Sequence, residues 1–291
     1  MQRIAVVVVT YNRLELLKQC IESVRNQIQK PNIIIVVNNG STDGTLGWLN
    51  DQKNIIQIVQ ENIGGAGGFY TGMKFAYEKN FDWVWCMDDD CTADCNALEF
   101  LLKHLKNGSI LNSLVLSSQN SENLAFGLYE FKRSNYYKEF KDVNEKEVIE
   151  SQNFFNGSLF PRKVFKDVGF PSKELFIRGD EFEYFLRITK AGYNVYTVTN
   201  SIIYHPPEKK IIVNLGIISY EFLFLNSFKR YYHTRNLLLI SKNYDLISFK
   251  YFFKNFILDI IFIIFSQRKP SILISHIKGF LKGLFTTIKF P

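Results

Sequence analysis

Four short apolar runs, at residues 4–9, 33–37, 55–59 and 83–87, recur along the first third of the chain, and each stops on a polar or glycine-rich segment. After the first run, Leu14, Leu17, Ile21 and Val24 fall at helical spacing, opened by Asn12 with Glu15 three residues on as a capping pair. Strands alternating with helices of this length predict an α/β fold, a mostly parallel sheet with right-handed crossovers. Ligands in such sheets sit beyond the carboxyl ends of the strands. The polar punctuation falls there: Thr10-Tyr11-Asn12-Arg13, then residues 38–45 from Asn38 to Thr45, then residues 61–68, then Asp88-Asp89-Asp90. Four strand-end loops on one sheet edge make a single site.

Three adjacent carboxylates at the end of a buried strand are costly without a cation. Their best use is to hold a hard divalent metal that in turn holds phosphate oxygens. The bland alternative is a solvated acidic turn ahead of the helix expected from Ala97-Leu98. In the third loop, Gly64, Gly65, Gly67 and Gly68 allow close backbone approach, and N–H groups at the start of a helix expected over 69–77 suit a phosphate. No Gly-Lys-Ser/Thr follows, and the spacing does not fit a dinucleotide fingerprint; a flexible turn is the competing reading.

With 46% apolar and 22% charged residues in 291, the chain is long enough for one large core, or one core and a smaller appendage. Cys20, Cys86, Cys91 and Cys95 lack the spacing of a zinc site and read as reduced thiols of a cytosolic protein. No signal peptide is expected, because the run at 4–9 gives way at once to polar residues, and no stretch reaches the roughly 20 apolar residues of a spanning helix. Charge is uneven: from Pro206 onward 13 Lys and Arg face 4 Asp and Glu, a net +9, which leaves 22 basic against 24 acidic groups before it. The basic part lacks a nucleic-acid motif, and its Phe and Ile richness suits a membrane surface better.

Residues 107–150 are polar and read as a variable surface excursion. Further on, Asp180, Glu181 and Glu183 crowd the first turn of a helix whose apolar face carries Phe182, Phe185 and Ile188. Acids there are dipole-favoured, and directly after Gly179 they also suit a general base at a site rim. The alternating part ends on residues 202–205 with His205, which by itself is most often a surface or core residue.

Together these residues resemble the inverting family 2 glycosyltransferases of the GT-A fold. Residues 6–13, 39–45 and 88–90 look like the family's nucleotide-sugar motifs, and the likeness covers residues 1–205. Residues 62–69 with 179–184 point further, to the bacterial galactofuranosyl- and rhamnosyltransferase branch. The resemblance implies a GT-A catalytic domain over 1–205, a Rossmann-like nucleotide-diphospho-sugar fold, with a C-terminal basic, aromatic helical region over 206–291. It places Thr10, Tyr11 and Arg13 in the base and phosphate pocket, with Asp88 and Asp89 on the nucleotide-sugar side and Gly64 to Gly68 beside them. Asn38 stands where the family commonly has Asp, so the choice of base stays open. Mn2+ or Mg2+ would be held by Asp88, Asp90 and His205. Glu181 is the expected catalytic base with Asp180 in reserve, although the family more often has Asp at that position; Glu183, Asn156 and Arg235 are expected acceptor contacts.

Residues 230–236 resemble a segment that packs near the site in that branch. From Ile247 onward Phe, Ile and Leu alternate with Lys250, Lys254, Lys269, Lys278, Lys282 and Lys289, as in basic amphipathic helices of a membrane interface; a helical bundle on the catalytic domain is the alternative. The reading is therefore a cytoplasmic enzyme on the inner face of the plasma membrane. It would move galactofuranose from its UDP donor to a lipid-linked glycan such as O-antigen, capsule or cell-wall polymer. A dTDP-rhamnose donor is the runner-up, and a non-catalytic membrane module with a structural cation is the rival from another class. No nucleic-acid partner is expected, and homo-oligomerisation stays open.

Overall fold

The computed structural model describes residues 2–105, 108–130, 133–151, 153–215, 218–244 and 249–290. The chain opens with β1 (Ile4–Thr10), α1 (Leu14–Arg25), β2 (Ile33–Asn38), α2 (Thr45–Asn50), β3 (Ile55–Val59), α3 (Gly64–Glu78) and β4 (Trp83–Asp88). Strands β1, β2 and β3 pair in parallel, and β4 lies parallel to β1 on its other side. Side-chain alternation divides the core into two layers. Val6 and Val8 pack with Leu17 and Ile21 of α1, whereas Ala5, Val7 and Val9 pack with Phe69 and Met73 of α3. Cover on both faces is why these strands read as unbroken apolar runs.

Then follow β5 (Thr92–Ala93), α4 (Ala97–Lys103), β6 (Ile110–Ser117), β7 (Asn123–Glu130), β8 (Asn135–Glu139), β9 (Val148–Ile149), β10 (Asn156–Pro161), α5 (Arg162–Val168), α6 (Asp180–Lys190) and β11 (Val195–His205). Among the described residues they complete an 11-stranded sheet whose main path runs β3-β2-β1-β4-β10-β6-β11-β5. β10 is antiparallel to both neighbours, and β6 is parallel to β11. The irregular excursion expected over 107–150 is corrected here: β6 is a fully buried central strand. Its polar residues are satisfied inside the sheet, since Asn112 Oδ1 accepts from Ser158 Oγ at 2.7 Å and Ser113 Oγ donates to the Gly157 carbonyl at 3.1 Å. Residues 107, 131 and 132 of that stretch lie outside the described residues.

After the sheet come a hairpin, β12 (Lys210–Leu215) with β13 (Ile218–Leu223), and the helices α7 (Ser227–Tyr244), α8 (Phe249–Phe262) and α9 (Pro270–Phe285). α9 packs closely on α7: a Cβ at Gly279 would lie 2.4 Å from the Tyr231 carbonyl oxygen, and one at Gly283 would lie 2.9 Å from that of Arg235. Among the described residues no helix is long and apolar enough to cross a membrane. Of the basic C-terminal run, residues 245–248 lie outside the described residues.

Candidate active site

The carboxyl end of β4 delivers the acidic triplet between the loops after β1 and β11. Asp89 is buried; its Oδ2 accepts from Thr10 Oγ1 at 2.8 Å and its Oδ1 from Arg13 Nη1 at 3.1 Å. The same Arg13 nitrogen reaches Asp90 Oδ2 at 2.6 Å. On the other side His205 Nε2 lies 3.0 Å from Asp90 Oδ1. That contact has the distance of an ion pair, and Asp90 Oδ1 is buried. Burial, reinforced by Asp90, pushes Asp88 up to about 8, and burial raises Asp89 against Arg13 and Thr10. For Asp90 burial works the other way and is outweighed: His205 and Arg13 hold it below the usual carboxylate range. His205 is raised above its ordinary value because Asp90 outweighs the cost of burying the charged ring.

The cluster fits a divalent cation. Asp90, His205 and the buried Cys91 offer ligand atoms within 4.8 Å of one another; Asp88, expected as a ligand, is not among these three but lies within their electrostatic reach. His205 Nδ1 lies 2.6 Å from the Pro206 carbonyl oxygen; donating there leaves Nε2 as the ligating atom. Cys91 is the odd member, because burial holds it as a thiol and hard cations prefer oxygen and imidazole donors.

The paired acids arrive on the first turn of α6. Asp180 is buried at 5% exposure, and burial together with its hydrogen bond to Glu181 raises it well above the usual carboxylate range. Asp88 is among the charges that raise Asp180, which sets the pair within electrostatic reach of the metal-type cluster. Glu181 is only partly buried. The backbone leading there is contorted: Phe176 and Arg178 have φ of 67° and 68°, and Gly179 follows at 89°. Left-handed conformations cost roughly 1–2 kcal/mol per residue outside glycine, so something must hold this loop.

Two expected acceptor contacts are corrected. Glu183 is fully buried; its Oε1 and Oε2 accept from Arg187 at 3.0 and 2.9 Å, and Oε1 also accepts from Tyr244 Oη at 2.6 Å. Its carboxylate is consumed in linking α6 to α7. Arg235 Nη2 donates to the Glu174 and Leu175 carbonyls at 2.8 and 3.0 Å, and its guanidinium lies 4.7 Å from the Tyr232 ring centre. It grips the loop before the acids. Asn156 pairs in register with Met87 beside the triplet, but it is buried and its Nδ2 donates to the Phe154 carbonyl at 3.2 Å.

On the nucleotide side Tyr11 is 46% exposed, an open ring at the end of β1. Asn38 is buried, and its Oδ1 accepts from Ser41 N at 2.8 Å, closing the turn after β2. The glycines lie inside α3, which begins five residues earlier than the expected 69. A Cβ at Gly64 would sit 2.0 Å from the Phe176 carbonyl oxygen, and one at Gly68 would sit 2.3 Å from Val9 Cγ1. Gly67 is likewise crowded by Ile63, so these three serve the chain's own packing; Gly65 alone of the four has open space at its Cβ.

Sequence reasoning missed Arg178, Glu208, Lys229 and Asn236. Arg178 Nη1 donates to Glu208 Oε1 at 2.6 Å, tying the base loop to the segment after His205. Lys229 is lowered by burial and by Arg178 and Arg13, and it also feels Asp90 and Asp88. Only the approach of the 230–236 segment was legible, and it packs on residues 174–178 through Arg235 and Asn236.

The sequence profile of the family described as Glycosyl transferase family 2 matches residues 5–169. Galactofuranosyltransferase GlfT1 of Mycolicibacterium smegmatis is 30% identical over 213 residues, 70% of each chain. The protein of the same name from Mycobacterium tuberculosis is 32% identical over 212 residues, 69% of each chain. Among solved structures, GalNAc-T7 with UDP, GalNAc and Mn2+ superposes with a TM-score of 0.61 at 15% identity, over 96% of this chain and 54% of that one. The mannosyltransferase PcManGT from Pyrobaculum calidifontis, in complex with GDP-Man and Mn2+, gives 0.54 at 13% identity over 97% and 87%. The triplet at the end of a parallel strand, the strand order around it and these likenesses converge: the chain belongs to Glycosyl transferase family 2 and is a glycosyltransferase of GT-A fold.

Proposed function

We propose that this enzyme transfers galactofuranose from a UDP donor, with inversion, to a hydroxyl of a lipid-linked glycan at a membrane surface. The observations that support the reading are the Asp90, Cys91 and His205 cluster beside Asp88, and the Asp180–Glu181 pair within electrostatic reach of Asp88. The acceptor oxygen attacks the anomeric carbon from the face opposite the diphosphate, its proton passes to a carboxylate, and the sugar–phosphate bond breaks with its electron pair on the diphosphate. Glu181 is the better base. Glu181 keeps part of its surface, whereas Asp180 is buried and raised by that burial and by Glu181 beside it. A divalent cation held by Asp88, Asp90 and His205 would neutralise the departing charge. Arg13, already on Asp89 and Asp90, is placed to re-pair with phosphate oxygens when the donor binds.

The sugar follows from the two GlfT1 relatives, named galactofuranosyltransferases, at 30 and 32% identity. The membrane half rests on two exposed apolar stripes. Ile257, Ile261 and Ile264 on α8 and the turn after it, and Ile274, Ile277, Leu281 and Phe285 on α9, are exposed at helical spacing; Phe265 and Phe285 reach 72% and 82%. Exposed Lys254, Arg268, Lys269, Lys278 and Lys282 accompany them, the composition of helices that lie in an anionic interface.

A donor panel with Mn2+, scored by nucleoside diphosphate release and product analysis, tests the reaction. The expected outcome is turnover of UDP-galactofuranose above dTDP-rhamnose and UDP-pyranoses, with inverted configuration. Turnover of dTDP-rhamnose alone would replace the donor and keep the rest. Retained configuration would overturn the single displacement.

A further inference from the structure

The loop that carries the acids is held by the C-terminal helices. The carbonyl oxygens of Glu174, Leu175, Phe176, Ile177 and Arg178 all accept from outside the loop. Arg235 Nη2 takes those of Glu174 and Leu175, and Ala66 N takes that of Phe176 at 3.2 Å. Asn236 Nδ2 lies 2.8 Å from the Leu175 oxygen, 3.0 Å from that of Ile177 and 2.7 Å from that of Arg178, so two amide protons are shared over three acceptors. Asn236 is fully buried, and its Oδ1 accepts from Arg235 Nε at 2.8 Å, which fixes which end of the amide faces the loop. The Phe176 ring stacks on Tyr232 of α7 at 4.9 Å and 16°. Carbonyls converge on one side chain in this way only because Phe176, Arg178 and Gly179 adopt positive φ, and Asp180 follows at once.

We infer that Asn236 is a positioning residue for the Asp180–Glu181 pair, holding the left-handed loop so that the carboxylates reach the acceptor hydroxyl. Its side-chain polar atoms are engaged by Arg235 and the loop carbonyls. A buried amide with its donors on three carbonyls of one strained turn has no equivalent in a plain helix-packing contact, which would call for an apolar side chain. The inference rests on the reading of Glu181 as base.

The test compares Asn236→Ala, Asn236→Asp and the milder Arg235→Gln with wild type and with Glu181→Gln, measuring kcat, donor KM and stabilisation by UDP with Mn2+. Asn236→Asp keeps the volume and removes the donors. Turnover by the Asn236 variants should fall roughly 10- to 100-fold, the cost of a misplaced reacting group, with a smaller loss for Arg235→Gln. Donor KM should stay within about threefold, and UDP stabilisation should be retained, because both residues spend their hydrogen bonds on the loop before the acids. The Asn236→Ala/Glu181→Gln double variant should be no slower than Glu181→Gln alone, because a displaced base that is already disabled costs nothing more. Wild-type kcat in folded Asn236 variants, or loss of UDP stabilisation in step with kcat, overturns the positioning role. If both Asn236 variants fail to fold, Arg235→Gln decides: an unchanged kcat overturns the inference, and a lowered kcat with unchanged KM supports it. A wild-type rate for Glu181→Gln sinks the base assignment itself and reads separately from any Asn236 result.

Discussion

The sheet and the helices behind it hold their charged groups in opposite ways. At the carboxyl ends of β1, β4 and β11 three aspartates are left crowded and only partly compensated, with Asp90 Oδ1 buried and without a hydrogen bond. Around α7 most charged groups are paired with an opposite charge or a donor: Glu183 with Arg187 and Tyr244, Arg230 with Asp259 at 3.1 Å although its Nε has no hydrogen-bond partner, and Asn236 with three carbonyls. A crowded, partly compensated cluster stores affinity for a ligand that brings more positive charge. A network of paired groups stores shape. The sheet edge therefore binds, and the helices hold.

The largest loss is expected at the sheet edge. Asp90→Ala should reduce kcat/KM on the order of 10³-fold and abolish the response to added Mn2+, because removing a metal-type ligand removes several kcal/mol of charge stabilisation. Full activity of this variant in chelator would show that the cluster binds no catalytic cation, and the contrast with the helices would collapse. Next in size, Glu181→Gln should lower the rate about 10²-fold while UDP stabilisation persists. An unchanged rate would transfer the base role to Asp180 and leave Glu181 with the matched groups.

The smallest effect concerns the outer face of the helices, where the stripes of α8 and α9 lie exposed. The protein should float with anionic liposomes at low salt and be released at high salt. Lys278→Gln with Lys282→Gln should weaken partition roughly 30-fold, since each basic residue near an anionic surface contributes about 1 kcal/mol. Equal flotation with neutral liposomes would assign binding to the apolar stripe alone. No flotation at all would assign those helices to packing.

Much of the sheet was legible because burial on both faces writes itself as contiguous Val and Ile. Strand β6 was not, because Asn112, Ser113 and Ser117 interrupt its apolar pattern and the hydrogen bonds of Asn112 and Ser113 run to β10 and its neighbours, far along the chain. The glycines of α3 were legible as a place of close approach. What approaches was not: a carbonyl of residue 176 and a valine of β1, neither near them in sequence.

Periodicity and chain order were enough to set the first four strands and their common loop edge, and the family resemblance added Arg13 and His205 to the acids there. Which of those acids are free depended on the folded chain. Glu181 and Glu183 are two residues apart on one helix turn and look equivalent in the sequence, yet one keeps part of its surface and the other is sealed beneath Tyr244, 61 residues on. Arg235 passed from expected acceptor contact to loop clamp for the same reason. Local sequence sets the face a side chain takes, whereas partners distant in the chain set its desolvation and hydrogen bonding, and these fix whether a charge is available for chemistry.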